Sequence, residues 1–244
     1  MELTEARKKL IVALDGDYGM RQIADIVSLL RDEAGMVKIG MRLFTRLGPE
    51  AVETAVKAGM PVFLDLKFHD IPHTVQQACE EAVRLGVAMM TVHGLGGPTM
   101  LRKAVEGLTT AAQSCNNRKP KLLAVTVLTS MDADELRAIG FEHEPSELVR
   151  RLAVMASEQG IDGIVASPRE IELAREAMGD GFLIVTPGIR PSGVGGPADD
   201  QKRTLSPGAA ITAGADYIVV GRPIIAAPDP IEAARAIVRD MAEG

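Results

Sequence analysis

Charged residues that can exchange protons or stabilise a charged intermediate are concentrated between positions 65 and 70. Asp65, Lys67 and Asp70 follow the apolar run 61–64, and Pro72 ends the extended stretch. Because side chains on a strand alternate between two faces, Asp65 and Lys67 are predicted to point to the same face. Charges at the end of a buried strand are costly unless they pair or take part in chemistry. This segment is therefore the first candidate for a catalytic site.

Polar residues also stand at the ends of other predicted strands. Asp15, Lys38 and His93 end or interrupt apolar runs, at positions where core residues are expected. One such residue alone is better explained as a solvated charge or a structural ion pair. Lys38 with Asp65 and Lys67 is harder to explain in that way, because several strands then direct charge to one place. Alternating lysine and aspartate neutralise one another, so the cluster can be buried with its charges intact.

Glycine and arginine follow the last two predicted strands in a pattern typical of a phosphate site. Gly188 and Arg190 follow one strand, and Gly221 and Arg222 follow the other. Glycine permits close approach of the backbone, and an arginine pairs well with a phosphate dianion. For either arginine alone, a surface residue after an ordinary glycine turn is the competing explanation.

The histidines raise the alternative of a metal site. His69 and His93 are the pair that would have to converge with carboxylates on one point, and a metal-dependent epimerase or aldolase would follow. The H-E-x-x-H spacing is absent. Structural or hydrogen-bonding roles for His69, His73 and His93 are the favoured interpretation, so no metal site is predicted.

The elements that must position these residues alternate regularly along the chain. Nearly continuous apolar runs, typical of parallel strands buried on both faces, cover 10–15, 36–40, 62–67, 89–93, 122–128, 163–167, 183–187 and 217–221. Amphipathic stretches that predict helices cover 18–33, 73–85, 98–114, 147–159, 168–178 and 230–241. Eight strands alternating with helices predict an α/β protein, a single (β/α)8 TIM barrel catalytic domain spanning 1–244. A doubly wound open sheet is the alternative, since a strand count does not prove closure.

Active sites of such barrels lie at the carboxyl ends of the strands, and the loops after strands seven and eight are a frequent phosphate site. The longest segment rich in glycine and proline, 187–207, joins those two strands. A long loop in a compact domain is usually functional or mobile.

Composition narrows the classes of function. The chain of 244 residues has a formal charge of −6, which argues against nucleic acid as a partner. No apolar run reaches the roughly 18 residues needed to span a membrane, and the N-terminus does not resemble a signal peptide. Cys79 and Cys115 have neither metal nor redox spacing. A cytoplasmic protein with reduced thiols and no membrane partner is expected.

The segment Asp65-Leu66-Lys67-x-x-Asp70-Ile71-Pro72-x-Thr74 resembles the signature of the orotidine 5′-phosphate decarboxylase family. Further segments of the chain resemble those of the family in the same order: 12–15 (VALD), 37–40 (VKIG), 127–130 (VLTS), 186–190 (TPGIR) and 220–223 (VGRP). The resemblance extends from about Leu10 to the C-terminal helix. It implies an enzyme that converts orotidine 5′-monophosphate to uridine 5′-monophosphate and carbon dioxide, the last step of de novo pyrimidine synthesis. It also implies that the enzyme uses neither metal nor organic cofactor.

The resemblance also implies roles for individual residues. Lys38, Asp65, Lys67 and Asp70 form an alternating charge network, in which Lys67 stabilises a carbanion at C6 and protonates it. The family pattern is a homodimer, with Asp70 and Thr74 contributed across the interface. The implied substrate-binding residues are Asp15 and Lys38 for the ribose, Thr129 and Ser130 for the pyrimidine, Arg190, Gln201, Gly221 and Arg222 for the phosphate, and also Ile71 and Pro187.

Two competing functions remain open. A keto-gulonate-phosphate decarboxylase or hexulose-phosphate synthase resembles this chain in Asp-x-Lys-x-x-Asp and in the phosphate site. Such enzymes are expected to use a metal held by an acidic residue on strand two, where this chain has Lys38. A non-catalytic phosphate-binding barrel is the second competitor. It has no need for the charge arrangement of Asp65, Lys67 and Asp70.

Overall fold

The computed structural model describes residues 1–191 and 205–244. Eight parallel strands close into a barrel in which each strand pairs with its neighbours in sequence and the last pairs with the first. The strands are β1 Leu10–Ala13, β2 Met36–Gly40, β3 Val62–Phe68, β4 Met89–His93, β5 Lys121–Val125, β6 Gly163–Val165, β7 Leu183–Thr186 and β8 Tyr217–Val220. The predicted (β/α)8 barrel is confirmed, and the open-sheet alternative is wrong because β1 pairs with β8.

Helices surround the barrel in the described part of the chain. They are α1 Leu3–Lys9, α2 Met20–Leu30, α3 Met41–Leu47, α4 Pro49–Lys57, α5 Pro72–Arg84, α6 Gly97–Cys115, α7 Ala133–Ala138, α8 Pro145–Glu158, α9 Ile171–Met178, α10 Pro207–Thr212, α11 Arg222–Ile225 and α12 Pro230–Glu243. Short 3-10 turns precede α6 and α9. Many of these helices begin with proline in the first turn, where its missing N–H costs nothing. None of the helices in the described ranges is long and apolar enough to cross a membrane.

The alternation of side chains along each strand divides the core into two layers. Ile11 and Ala13 of β1 point into the barrel, while Leu10 and Val12 pack beneath the helices. The interior layer is small, and consists of Ile11, Ala13, Met36, Phe63, Met89, Leu123, Val185 and Val219. A core filled in this way leaves room for a ligand at the mouth formed by the carboxyl ends of the strands.

Strand β3 departs from regular geometry at the candidate catalytic segment. Leu64 pairs with Met90 of β4, but the next residue pair is Phe68 with Val92. Three residues, 65–67, therefore lie opposite the single residue Thr91. Because the bulge adds two residues, the alternation is preserved, and Leu66 and Phe68 both pack outward against the helices. The prediction that Asp65 and Lys67 share a face holds, although the strand is not regular.

Candidate active site

A cavity of about 720 Å³ opens at the carboxyl ends of the strands. This volume lies within the range of roughly 300–1,000 Å³ typical of small-molecule sites. Its lining combines apolar side chains from the barrel interior, such as Phe63 and Val219, with the polar residues that end the strands. The predicted residues that line it are Asp15, Lys38, Asp65, Lys67, Thr129, Pro187, Arg190, Gly221 and Arg222.

The charged residues form one chain of ion pairs across β1, β2 and β3. Asp15 Oδ1 lies 3.1 Å from Lys38 Nζ, which lies 3.5 Å from Asp65 Oδ2. The other oxygen of Asp65, Oδ1, lies 2.8 Å from Lys67 Nζ. The side chains of Lys38 and Asp65 are only 11% and 13% exposed, so the attraction between these two residues is weakly screened by solvent. The predicted alternation of lysine and aspartate is thus present within one chain as far as Lys67.

The two lysines hold the carboxyl group of Asp65 in its ionised form. Burial by itself would raise the pKa of Asp65, but the attraction of Lys38 and Lys67 outweighs it and lowers the pKa below the ordinary value of 3.8. Hydrogen bonds from Lys67 and Thr91 to the carboxylate act in the same direction. The site therefore presents a fixed negative charge between two cations at neutral pH.

Lys67 has an unusual backbone conformation. Its φ of 52° lies in the left-handed region, which is uncommon for residues other than glycine. The backbone N–H of Lys67 donates to Thr91 Oγ1 at 2.9 Å, in place of a ladder bond to β4. Strained residues of this kind persist only where the surroundings enforce them, and they are concentrated at functional sites. This conformation directs the ammonium group of Lys67 into the cavity.

The arginine side of the cavity has the features predicted for a phosphate site. Gly188 has a φ of 81°, a conformation that other residues adopt only with strain. Ile189 forms a bridge with Leu205, and the N–H of Arg190 donates to the carbonyl of Leu205 at 3.0 Å. Ile189 and Arg190 on one side and Leu205 on the other therefore lie next to each other, and Arg190 lines the cavity. The predicted contact Gln201 falls in the segment 192–204, outside the described residues.

Asp70, Ile71 and Thr74 are exposed on the outer rim, where β3 leads into α5, and do not line the cavity of the single chain. Ser130 is exposed beside Thr129 in a turn and also stays outside the lining. Substrate contacts for these four residues stay predictions.

Several residues at the site have no counterpart in the sequence-based prediction. Thr91 is fully buried and hydrogen-bonded to both Asp65 and Lys67. Tyr18 and Arg42 line the cavity, and Arg42 donates to the carbonyl of Asp15 at 3.3 Å. Burial and the charge of Asp15 raise the pKa of Tyr18, so its hydroxyl is protonated at neutral pH and can donate a hydrogen bond. The position of Thr91 on an apolar strand, two residues before His93, is the only signal of its role that the sequence contains.

The histidines contact each other rather than a cluster of carboxylates. The rings of His69 and His93 stack with centroids 5.2 Å apart, and His93 Nδ1 accepts from the N–H of Leu95. Burial, together with His69 and Lys67, lowers the pKa of His93 below 6.5. Within the described ranges, no group of three or more histidine, cysteine, aspartate or glutamate side chains is arranged to hold a metal ion.

Comparison with known proteins identifies the family to which the chain belongs. The model of the orotidine 5′-phosphate decarboxylase / HUMPS family matches residues 8–237. An orotidine 5′-phosphate decarboxylase from Pelobacter propionicus is 51% identical over the full chain and 99% of its own length. One from Trichlorobacter lovleyi is 50% identical with the same coverage. The crystal structure of orotidine 5′-phosphate decarboxylase from Lactobacillus acidophilus is 41% identical, with a TM-score of 0.83 over 95% of this chain and 98% of that one. The chain therefore belongs to the orotidine 5′-phosphate decarboxylase / HUMPS family.

Proposed function

We propose that this protein is a carboxy-lyase that converts orotidine 5′-monophosphate to uridine 5′-monophosphate and carbon dioxide, completing pyrimidine nucleotide synthesis. The observation that carries the proposal is a cavity lined both by the Lys38–Asp65–Lys67 ion pairs and by Arg190 and Arg222. The full-length relatives named orotidine 5′-phosphate decarboxylase favour this reaction over the other branch of the family. On this proposal the whole chain, 1–244, acts as one catalytic barrel.

Lys67 carries the chemical step. Loss of carbon dioxide from C6 leaves an electron pair on a vinylic carbon that has no good resonance sink, so the barrier is high. A preorganised cation placed where negative charge develops lowers that barrier, and the same ammonium group supplies the proton that replaces carbon dioxide. Lys67 meets both needs, because Asp65 fixes its Nζ at 2.8 Å and the group faces the cavity.

Lys38 and Asp65 prepare the site for Lys67. Asp65 accepts from Lys67 and lies between two cations, so it stays charged without substrate. Lys38 also contacts Asp15, and the proposed role of these two residues is to bind the ribose hydroxyls. The turn that contains Thr129 and Ser130 lies after β5, where it can hydrogen-bond the pyrimidine amide.

The phosphate group lies far from the reacting carbon and contributes binding energy. We assign it to Arg190, Arg222 and the backbone at Gly221, which line the cavity together with Pro187. The amide of Gln201, outside the described residues, is the further proposed contact. Binding energy from a remote group lowers the barrier when it is used to order the site around the reacting atoms. We propose that the segment between Arg190 and Leu205 responds to the phosphate, because Arg190 lines the cavity and its N–H donates to the carbonyl of Leu205.

A homodimer with shared sites is the assembly that we propose. Asp70 and Thr74 are exposed on the rim of the single chain, next to the mouth but outside the cavity lining. Several large apolar side chains that are exposed in the described chain follow the carboxyl ends of β2 to β5: Met41, Ile71, Leu95, Leu128 and Ile139. We propose that these side chains form part of the surface on which the two chains associate. A partner placed there brings its own Asp70, Ile71 and Thr74 to the site.

We infer that the reaction needs neither metal nor organic cofactor, because Lys67 already supplies the cation and the proton. Lys38 also occupies the place on β2 where the metal-dependent enzymes are expected to carry an acidic ligand. A cytoplasmic location is inferred from the substrate and product, since charged nucleotides do not cross membranes unaided.

An ultraviolet assay of orotidine 5′-monophosphate in chelator-treated buffer tests the proposal. Rapid conversion to uridine 5′-monophosphate establishes the reaction and its independence of metal. The alternative is a metal-dependent sugar-phosphate enzyme of the same family. Absence of conversion, together with activity on a keto-sugar phosphate restored by magnesium, would establish that alternative.

A further inference from the structure

The bulge in β3 is held by one side chain of the neighbouring strand. The three residues from Asp65 to Lys67 lie opposite Thr91, which is fully buried. A bulge interrupts the ladder and leaves backbone groups without their usual partners. Here the N–H of Lys67 finds a partner in Thr91 Oγ1 at 2.9 Å.

The hydroxyl of Thr91 uses both of its hydrogen-bonding capacities at this point. While its oxygen accepts from the backbone of Lys67, its proton is donated to Asp65 Oδ1 at 3.1 Å. The same oxygen of Asp65 accepts from Lys67 Nζ at 2.8 Å. Lys67 is therefore held at its backbone and at its ammonium group by a closed ring of three hydrogen bonds.

The chemistry of the position is specific. A hydroxyl donates and accepts a hydrogen bond at once. An ammonium group only donates and a carboxylate only accepts, and either would add another charge to the buried space. Threonine is also branched at Cβ, so its rotamer freedom is small and the hydroxyl is held in one direction. Valine has nearly the same shape without the hydroxyl, and serine has the hydroxyl without the branch.

We propose that Thr91 is the positioning residue for Lys67, and that its hydroxyl links the left-handed backbone of Lys67 to the carboxylate of Asp65. This inference rests on the proposed function for its kinetic consequence, but the hydrogen-bond link itself does not depend on the reaction. Thr91 lies beneath Asp65 and Lys67 and does not line the cavity. Its effect on turnover is therefore exerted through Lys67.

The kinetic test compares Thr91→Val and Thr91→Ser with the wild-type enzyme. A misplacement of about 1 Å at a reacting group costs on the order of a hundredfold in rate, so Thr91→Val is expected to lower kcat about tenfold to a hundredfold. KM and the affinity for uridine 5′-monophosphate are expected to stay within about twofold. Thr91→Ser, which keeps the hydroxyl, is expected to recover most of the lost kcat.

Thr126→Val is the matched control. Thr126 is also buried, at the end of the next strand, and its hydroxyl donates to the carbonyl of Val165 at 3.1 Å, away from Lys67. This variant is expected to keep kcat within about twofold. Equal losses in Thr126→Val and Thr91→Val, or unchanged kcat in Thr91→Val, overturn the proposal. If Thr91→Val does not fold, Thr91→Ala, which removes the hydroxyl without adding volume, takes its place.

A second measurement separates this proposal from the proposed function. The pH titration of the Asp65 carboxyl carbon is followed by nuclear magnetic resonance, with the signal assigned through Asp65→Asn. The pKa of Asp65 is expected to rise in Thr91→Val and to stay near the wild-type value in Thr91→Ser. The same pKa in all three proteins overturns the link. A rise in the valine variant, in an enzyme inactive on orotidine 5′-monophosphate, supports the link and refutes the assigned reaction.

Discussion

Lys38 and Lys67 approach the carboxylate of Asp65 from two neighbouring strands, and the balance of charge decides how the site behaves. Removing charges from water is costly, and a buried ion pair offsets that cost only when its partners are well placed. Each oxygen of Asp65 has a lysine within 3.5 Å. The arrangement therefore keeps Lys67 oriented before substrate binds, which is the condition for electrostatic catalysis.

On the proposed mechanism, Lys67→Ala is expected to lower kcat by about a thousandfold or more, because the variant loses both the proposed cation at C6 and the proposed proton donor. Binding of uridine 5′-monophosphate should stay measurable by calorimetry, since the phosphate and ribose contacts remain. Lys57→Ala is the control, because Lys57 is an exposed surface residue paired with Glu53. Comparable turnover in Lys67→Ala and wild type would remove Lys67 from the role of proton donor.

The depressed pKa of Asp65 predicts how stability changes with pH. In the unfolded chain the pKa of Asp65 is near 3.9, so as the pH falls the unfolded chain binds a proton before the folded chain does. The stabilising contribution of Asp65 is therefore fully present above about pH 3.9. It is lost as the pH falls toward the lower pKa of the folded state. Between about pH 4 and pH 3, the free energy of unfolding of wild type should fall more steeply than that of Asp65→Asn. Urea denaturation at several pH values measures both slopes. Parallel curves would mean that Asp65 is not held ionised by its lysines.

Residue types predicted much of this site, but not the contacts within it. Asp65 and Lys67 are recognisable because charge at the end of an apolar strand is unusual. Thr91 cannot be recognised in this way, because threonine is common in β-strands and its presence in one is not unusual. Its function depends on the bulge across from it, which is a property of the pairing of β3 with β4 and not of either strand alone.

At the scale of elements, the strands were predicted better than the helices. Each of the eight apolar runs overlaps the corresponding strand, with differences of at most three residues at the ends. A strand buried on both faces needs a nearly uninterrupted apolar run, and such a run is easy to recognise. The helices α1, α3, α4, α7, α10 and α11 were not predicted. Most of them are short, and α1, α3 and α7 each bury a single residue, so the sequence shows little helical periodicity there.

Gly163 in β6 shows how closely these elements approach one another. A Cβ at this position would lie 2.3 Å from the carbonyl oxygen of Leu183 in the paired strand β7. Gly163→Ala is therefore expected to lower the free energy of unfolding by about 1–3 kcal/mol through overpacking. Thermal and urea denaturation followed by circular dichroism measure the loss.

Gly181→Ala is the control for Gly163→Ala. Gly181 is exposed, and a Cβ there meets no heavy atom of the described chain within 4 Å. The free energy of unfolding of Gly181→Ala should stay within about 0.5 kcal/mol of the wild-type value. Equal losses in the two variants would indicate a general cost of replacing glycine rather than the close contact between β6 and β7.

At the scale of the whole molecule, the closed barrel gathers most of the predicted site residues in one cavity but leaves Asp70 on the exposed rim. Strands β2 and β3 and the segments that follow β1, β7 and β8 bring five charged residues to one cavity: Lys38, Lys67, Asp15, Arg190 and Arg222. Asp70 comes from the same motif as Lys67, yet it lies on the exposed rim. The segment 65–70 thus contributes to two surfaces: Lys67 faces the cavity, and Asp70 faces outward on the rim. On the proposed homodimer, the outward surface of one chain completes the cavity of its partner.

Mixing two inactive variants tests the shared site directly. In a hybrid dimer of Lys67→Ala with Asp70→Ala, one site has both lesions, whereas the other combines an intact Lys67 with an intact Asp70 of the partner. If the variants are denatured together and refolded at equal concentration, half of the dimers are hybrids with one intact site. The mixture should then regain about a quarter of the wild-type specific activity. Each variant refolded alone should stay inactive. A mixture that stays inactive, although sedimentation shows dimers, would place Asp70 and Lys67 of the same chain in one site.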